Sequence, residues 1–185
     1  TFDDAIAANT VAFAAKGFDA NVADFVTLSG DLGFKKSGSS LVAVGNNVSA
    51  SLGIDGVAEL ALTGANFGLL IDGTEMAFEL TQGALSAQID GFDLLPFESV
   101  AVQFTNATTS ITKGRSLSVG DADYSFSQDI AADTVAFAIY GFNVNLANNV
   151  VLQGDFGFAK VGSELFAVGH DVSAGLDVGT AYVRL

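Results

Sequence analysis

The sequence repeats itself: residues 10–54 read TVAFAAKGFDANVADFVTLSGDLGFKKSGSSLVAVGNNVSASLGI, and residues 134–178 read TVAFAIYGFNVNLANNVVLQGDFGFAKVGSELFAVGHDVSAGLDV. Aligned without a gap at an offset of 124 residues, 26 of these 45 positions are identical. Self-similarity at a fixed period is typical of tandem-repeat proteins. The 185-residue chain therefore divides into one full repeat, residues 1–124, and a partial second copy, residues 125–185. We interpret it as an excerpt of a longer array.

A shorter period lies inside the long one. Residues 10–91 contain turn dipeptides 17 or 18 residues apart, at Ser37-Gly38, Asp55-Gly56, Asp72-Gly73 and Asp90-Gly91. Between the turns, apolar residues alternate with polar ones, and this period of two is typical of β-strands. The regularity stops in an irregular joint at residues 92–124, which holds the only proline, Pro96. The sequence predicts an all-β protein.

Two architectures fit these units. The first is an elongated β-solenoid-like stack, in which each unit of 17–18 residues is a strand–turn–strand coil. The second is an antiparallel meander or sandwich of long strands that bend at a central glycine and join through Asp-Gly hairpin turns. The regular period and the scarcity of proline favour the solenoid, whereas the Asp-Gly turns favour the meander.

Glycines recur at the middle of the units in both copies. We expect the backbone to bend there or to adopt a positive φ, which a Cβ atom resists. On that basis a change such as Gly45→Val should be strongly destabilising. The predicted structural glycines are Gly17, Gly30, Gly45, Gly141, Gly154 and Gly169.

Composition excludes several classes of function. There is no cysteine and only one histidine, so thiolate chemistry and a multi-histidine zinc site are ruled out within this chain. The net charge of −14, with seven scattered Lys and Arg residues, opposes binding to nucleic acid. Acidic residues interrupt the apolar stretches, so the sequence predicts no transmembrane helix. We expect no enzyme activity and no obligatory cofactor.

The acidic turns are the main candidate for metal binding. Carboxylates stacked at successive corners would present a row of oxygen ligands, which Ca²⁺ prefers. The predicted calcium ligands are Asp55, Asp72 and Asp90, and the further candidates are Asp31, Asp121, Asp123 and Asp155. The competing interpretation is that Asp-Gly simply forms a good turn.

Phenylalanine follows the strand pattern, so we expect these rings to pack in the core. They are Phe13, Phe18, Phe25, Phe34, Phe137, Phe142 and Phe158. His170 stands where the first copy has Asn46, which indicates an exposed turn rather than a catalytic residue.

The sequence combines long degenerate β-repeats with many Asp residues and no cysteine. It also contains near-identical blocks at residues 28–35 and 152–160. It resembles the tandem repeats of very large secreted bacterial surface proteins and adhesins. The resemblance implies an extracellular or cell-surface structural role, as an adhesin stalk, surface layer or filament subunit that contacts identical repeats end to end. The alternatives are a module that binds glycan or another surface on a sheet face and, behind it, a carbohydrate-active β-helix enzyme.

Overall fold

The computed structural model describes residues 7–22, 26–54, 58–89, 92–94, 97–146, 149–177 and 182–184. These residues are all-β, as the alternation predicts. The strands are β1 (Thr10–Val22), β2 (Val26–Ser37), β3 (Ser40–Ile54), β4 (Ala58–Asp72), β5 (Glu75–Ile89), β6 (Phe92–Leu94), β7 (Phe97–Thr105), β8 (Ser116–Val119), β9 (Ala122–Ser125), β10 (Thr134–Leu146), β11 (Val150–Val161), β12 (Glu164–Asp177) and β13 (Tyr182–Arg184).

Eleven of these strands form one sheet. Its order is β1-β2-β3-β4-β5-β6-β10-β11-β12-β13, with β7 inserted between β5 and β10 beside β6. Neighbours pair antiparallel throughout the described residues. This is the meander of long bent strands. The parallel stack of coils that the period favoured has no counterpart among the described strands.

Short turns join the long strands where the sequence predicts them. Ser37 pairs with Ser40 across a two-residue turn, and Asp72 pairs with Glu75 across another. Gly38 and Gly73 take the left-handed φ values that such turns need, +58° and +61°. The Asp55-Gly56 and Asp90-Gly91 dipeptides lie outside the described residues.

A line of irregularities crosses the sheet at mid-strand. In each of the eight long strands one residue has a positive φ, and such bulged positions bend a strand and increase its twist. These residues are Gly17, Gly30, Asn47, Gly64, Gln82, Gly141, Gly154 and Asp171. The bends therefore fall at equivalent positions in the two copies, as Gly17 matches Gly141 and Gly30 matches Gly154.

Two of the predicted glycines do not carry the bend. Gly45 and Gly169 have no left-handed φ, and the bulge residue on their strands lies two positions later, at Asn47 and Asp171. Gly45 is required for a different reason. A Cβ atom there would collide with the Phe67 ring and would lie 2.8 Å from Val48 Cγ2.

The irregular joint forms a β-hairpin, β8–β9, that packs over the first copy. Pairing places one row of side chains on the covered side, which we call the hairpin face: Ala14, Gly33, Val44, Gly68, Glu79, Gln103, Ala136, Ala159 and Phe166. The core lies between hairpin and sheet and comprises Val44, Ala77, Ile111, Leu117, Val119, Ala122, Tyr124, Phe126 and Ile130.

The sheet is open elsewhere. The chain has an accessible surface of 11118 Å², whereas a compact monomer of 18.9 kDa would expose about 8,300 Å². Much of the excess is apolar, because large side chains such as Leu165 and Val168 are 77% and 69% exposed. Exposed apolar area on this scale is typical of surfaces that contact something else.

Candidate functional site

The predicted calcium ligands are only partly described. Asp72 is exposed at the end of β4, while Asp55 and Asp90 lie outside the described residues. Among the residues that the structure describes, no group of three or more His, Cys, Asp or Glu side chains could hold a metal ion. Calcium binding at the Asp-Gly turns stays a prediction.

Two of the further candidates have a structural role. Asp31 Oδ1 accepts a hydrogen bond of 2.8 Å from the Gly17 amide, and Asp155 Oδ1 accepts the same bond from the Gly141 amide. In each copy the carboxylate thus satisfies a backbone donor that the bulge removes from the strand ladder. These aspartates stabilise the bend.

His170 lies in strand β12, beside the bulge, rather than in a turn. Its side chain is exposed, with Nδ1 3.1 Å from an Asp171 carboxylate oxygen and 4.0 Å from one of Asp155. Its counterpart Asn46 has a defined task, because Asn46 Nδ2 donates a 3.0 Å hydrogen bond to the Asp123 carbonyl in the hairpin. The position thus belongs to the rim of the hairpin face.

The hairpin is attached to the sheet through a buried carboxylate. Glu79, fully buried on β5, accepts hydrogen bonds from Tyr124 Oη at 2.6 Å and from Gln103 Nε2 at 2.8 Å. Ser127 donates twice more, from its amide at 2.7 Å and its hydroxyl at 2.8 Å. Four donors satisfy the carboxylate oxygens, so its burial is compensated. We call this group the Glu79 clamp.

The Tyr124 hydroxyl responds to this environment. Burial raises the pKa of Tyr124 well above its ordinary value, and the hydrogen bond to Glu79 and the charge of that carboxylate raise it further. Tyr124 therefore stays protonated and keeps donating to Glu79 across the neutral range.

Apolar packing seats the hairpin around the clamp. A Cβ atom on Gly33 would lie 2.8 Å from Val119 Cβ, and one on Gly68 would collide with the Tyr124 ring. Val44, between these glycines in the cross-strand row, is fully buried. The two glycines leave the space that the hairpin fills. We call this surface of β2–β4 the covered seat.

The equivalent surface in the second copy is empty. Val168, the counterpart of Val44, is 69% exposed, and Phe166 is 48% exposed. An open groove of about 390 Å³ runs along this side of β7 and β10–β12, bordered by Gln128 and floored by Ala138 and Gly157. We call it the open seat.

The opposite side of the sheet is also uncovered. We call it the aromatic face, because Phe13, Phe34, Phe137 and Phe158 lie on it. The expectation that the phenylalanines form a core is wrong at four positions: Phe13, Phe34, Phe137 and Phe158 are 38–53% exposed. Alternation does place them on one face, but no second layer covers that face within the described residues. Phe142 does pack, stacking on Phe97 at 5.3 Å between ring centroids. Phe25 lies outside the described residues.

No known protein family matches this chain, and neither a curated protein nor a solved structure shows detectable similarity to it. No helix among the described residues is long and apolar enough to cross a membrane. The evidence for function therefore comes from the chain's own two copies.

Sequence reasoning missed the Glu79 clamp and the covered seat. Glu79 lies between the apolar residues Phe78 and Leu80, so the alternation predicts that it faces solvent on a half-buried strand. Its burial depends on Tyr124 and Ser127, more than forty residues away in the irregular joint. The one local signal is the period of two in residues 117–124, which gives that hairpin an apolar side of its own.

Proposed function

We propose that this chain is a segment of a structural repeat array whose copies join edge to edge in one continuous β-sheet. The observation that carries the proposal is the junction between the copies. Strand β7, the last strand that the first copy adds to the sheet, pairs antiparallel with β10, the first strand of the second copy, from Thr105↔Thr134 to Ser99↔Tyr140. The two copies are therefore hydrogen-bonded directly to each other within one sheet at this point.

The same registers occur on both sides of the junction. Phe13 pairs with Phe34 in the first copy and Phe137 with Phe158 in the second, and both copies shift register at the same bulge. A further copy could therefore be added by the same pairing. Six strand positions separate β1 from β10, and strands lie about 4.8 Å apart, so one period extends the sheet by about 29 Å.

This geometry supports a mechanical role more than a catalytic one. An array of this kind would be a ribbon with continuous backbone hydrogen bonding across each junction, which suits a stalk, surface layer or filament. The resemblance to secreted bacterial surface repeats adds an extracellular or cell-surface location to the proposal. In this proposal the contact between identical repeats runs edge to edge rather than end to end, and the solenoid-like stack is not retained.

Small-angle X-ray scattering from chains with one, two and three complete periods tests this function. We expect the cross-section to stay constant while the length grows by about 29 Å per period, because each period adds six strands. Independent globular beads on flexible linkers would instead show a larger and variable increment per period. That result would contradict the structural role proposed here.

A second function, binding to a glycan or another surface, is favoured by one observation. Phe13 and Phe137 occupy corresponding positions on the aromatic face and are 52% and 39% exposed. Exposed rings on a flat sheet can stack on sugar faces or apolar surfaces. Replacing both by Ser should abolish retention on a polysaccharide panel if this face binds, whereas Phe166→Ser, a similarly exposed ring on the hairpin face, should leave retention unchanged. Unchanged retention of the double variant, or none by the unmodified chain, would remove the binding function.

A further inference from the structure

We infer that the open seat on β10–β12 is a docking site for a β8–β9-type hairpin, supplied by the segment that would complete the second copy of the repeat. The inference rests on the proposed function and specifies what covers the sheet of each copy in the array. In this arrangement, each hairpin would cover the hairpin face of one copy of the sheet. The occupant is therefore the second copy's own counterpart of residues 107–133.

The two seats share residues at four positions. These four line part of the covered seat and its margin on β1–β3, and all are identical in the second copy. Ala12, Ala14, Gly33 and Val44 correspond to Ala136, Ala138, Gly157 and Val168. The pairing also matches, because Gly33 lies opposite Val44 and Gly157 lies opposite Val168.

The two seats differ mainly in whether a hairpin covers them. Val44 is fully buried beneath the hairpin, whereas Val168 is 69% exposed. A Cβ atom on Gly33 would meet both Val44 and Val119, while one on Gly157 would meet only Val168, at 3.0 Å. The second copy thus keeps the glycine that makes room for the hairpin, with no hairpin above it.

One pair of substitutions conserves the volume of the seat. Val42 of the first copy becomes the larger Phe166, and its cross-strand partner Lys35 becomes the smaller Ala159. One change enlarges a side chain and the other shortens its cross-strand neighbour, so the total side-chain volume changes little. Packed surfaces tolerate such volume-conserving exchanges best. The open seat therefore remains a small-residue surface with one enlarged apolar wall.

The polar rim of the seat is also retained. Asn46 fastens the hairpin by donating to the Asp123 carbonyl. The second copy has His170 at this position, and an imidazole N–H can donate to a carbonyl as an amide can. His170 is exposed next to the open seat, with Nδ1 3.1 Å from an Asp171 carboxylate oxygen, so Nε2 is the nitrogen that would donate to an incoming hairpin.

The hairpin requires such a seat. Burial alternates along β8 and β9, so that Leu117, Val119, Ala122 and Tyr124 all face the sheet. An isolated two-stranded hairpin is at best marginally stable in water. A hairpin of this type in the completed second copy would need a sheet face to cover, and the open seat has the matching surface.

Cysteine labelling tests the inference, because the chain contains no cysteine of its own. Val168→Cys is placed in three proteins: the 185-residue chain, a chain in which residues 55–133 follow residue 178, and the same extended chain with its added hairpin replaced by a Gly-Ser linker. The rate of reaction with a water-soluble maleimide is measured in each. Val44→Cys gives the rate under a docked hairpin, and Lys160→Cys, whose counterpart Lys36 is also exposed, gives the open rate.

We expect Val168→Cys to react in the 185-residue chain at a rate near that of Lys160→Cys. In the extended chain it should react at least about tenfold more slowly, as a docked element protects what it covers, and the linker variant should restore the fast rate. Equal rates in all three proteins would overturn the docking site. Slow labelling that persists in the linker variant would overturn the hairpin as occupant. The scattering increment measured on the same extended chain reports separately on the edge-to-edge array.

Discussion

The Tyr124 hydroxyl lies 2.6 Å from Glu79 Oε2 and donates to it, linking a hairpin to a strand 45 positions earlier in the sequence. This contact joins the second layer of the fold to the sheet. Around it, Val44 and Val119 are withdrawn from water. The irregular joint thus acts as the cover of the first copy's sheet.

The Glu79 clamp can be dissected by a double-mutant cycle. Tyr124→Phe removes one donor, and we expect it to lower the free energy of unfolding by about 1–3 kcal/mol, as for other hydrogen bonds to charged groups. Glu79→Ala should cost more, because it leaves Ser127 and Gln103 without their acceptor. The two effects, measured by urea denaturation, should be non-additive. Additive losses would mean that the contact does not hold the hairpin.

Stability should fall at alkaline pH through Tyr124. Its pKa is raised in the folded chain and has an ordinary value of about 10 in the unfolded chain, so the folded state retains a proton that the unfolded state loses. This contribution is fully present below pH 10 and is lost as the pH rises further. The difference in unfolding free energy between the chain and Tyr124→Phe should therefore shrink above pH 10. A constant difference up to pH 11 would contradict this prediction.

Gly45 and Gly169 form a matched pair for testing close approach. Gly45→Val should cost roughly 1–3 kcal/mol through overpacking, because the new side chain must displace the Phe67 ring. At Gly169 a Cβ would lie 2.9 Å from Val172 Cγ2 and 3.9 Å from the Asp155 carbonyl oxygen, and no ring is in the way, so Gly169→Val should cost under about 1 kcal/mol. Thermal unfolding of both variants provides the comparison. Equal shifts in melting temperature would show that Phe67 does not restrict Gly45.

Calcium should stabilise the chain beyond simple charge screening if the Asp-Gly turns bind it. The net charge of −14 favours any cation, so NaCl of matched ionic strength is the control. We expect CaCl2 to raise the melting temperature more than NaCl does, and Asp72→Asn to reduce the excess. Coincident melting curves in the two salts would leave these aspartates with a turn-forming role alone.

The strand content and the turns could be predicted because their causes are local. Apolar alternation marks each strand, and Gly38 and Gly73 provide the left-handed residue that a two-residue turn needs. Whether neighbouring units pair parallel or antiparallel depends on where the chain goes after each turn, and regular spacing fits both. The sequence period was therefore informative about the units and misleading about their direction.

The candidate site could not be predicted because its causes are distant. Val44 and Val168 are each the middle residue of the same local sequence, Ala-Val-Gly, yet Val44 is buried and Val168 is exposed. The difference arises because a hairpin from elsewhere in the chain covers Val44 alone. Gly45 shows a related limit. A glycine that permits a bend and one that permits close approach look alike in sequence, and only the position of Phe67 distinguishes them.

The two copies share one sheet through β7 and β10, and a cross-strand disulfide at this junction is the decisive test. Ala101 lies opposite Ala138 across this junction, and the chain has no other cysteine to interfere. Oxidation of Ala101→Cys/Ala138→Cys should give an intramolecular disulfide, because directly opposite residues have Cβ atoms close enough to bridge. Ala101→Cys/Phe137→Cys, whose side chains point to opposite faces, should stay reduced or cross-link between molecules. Absence of the first bridge, or equal bridging in both pairs, would contradict the continuous sheet.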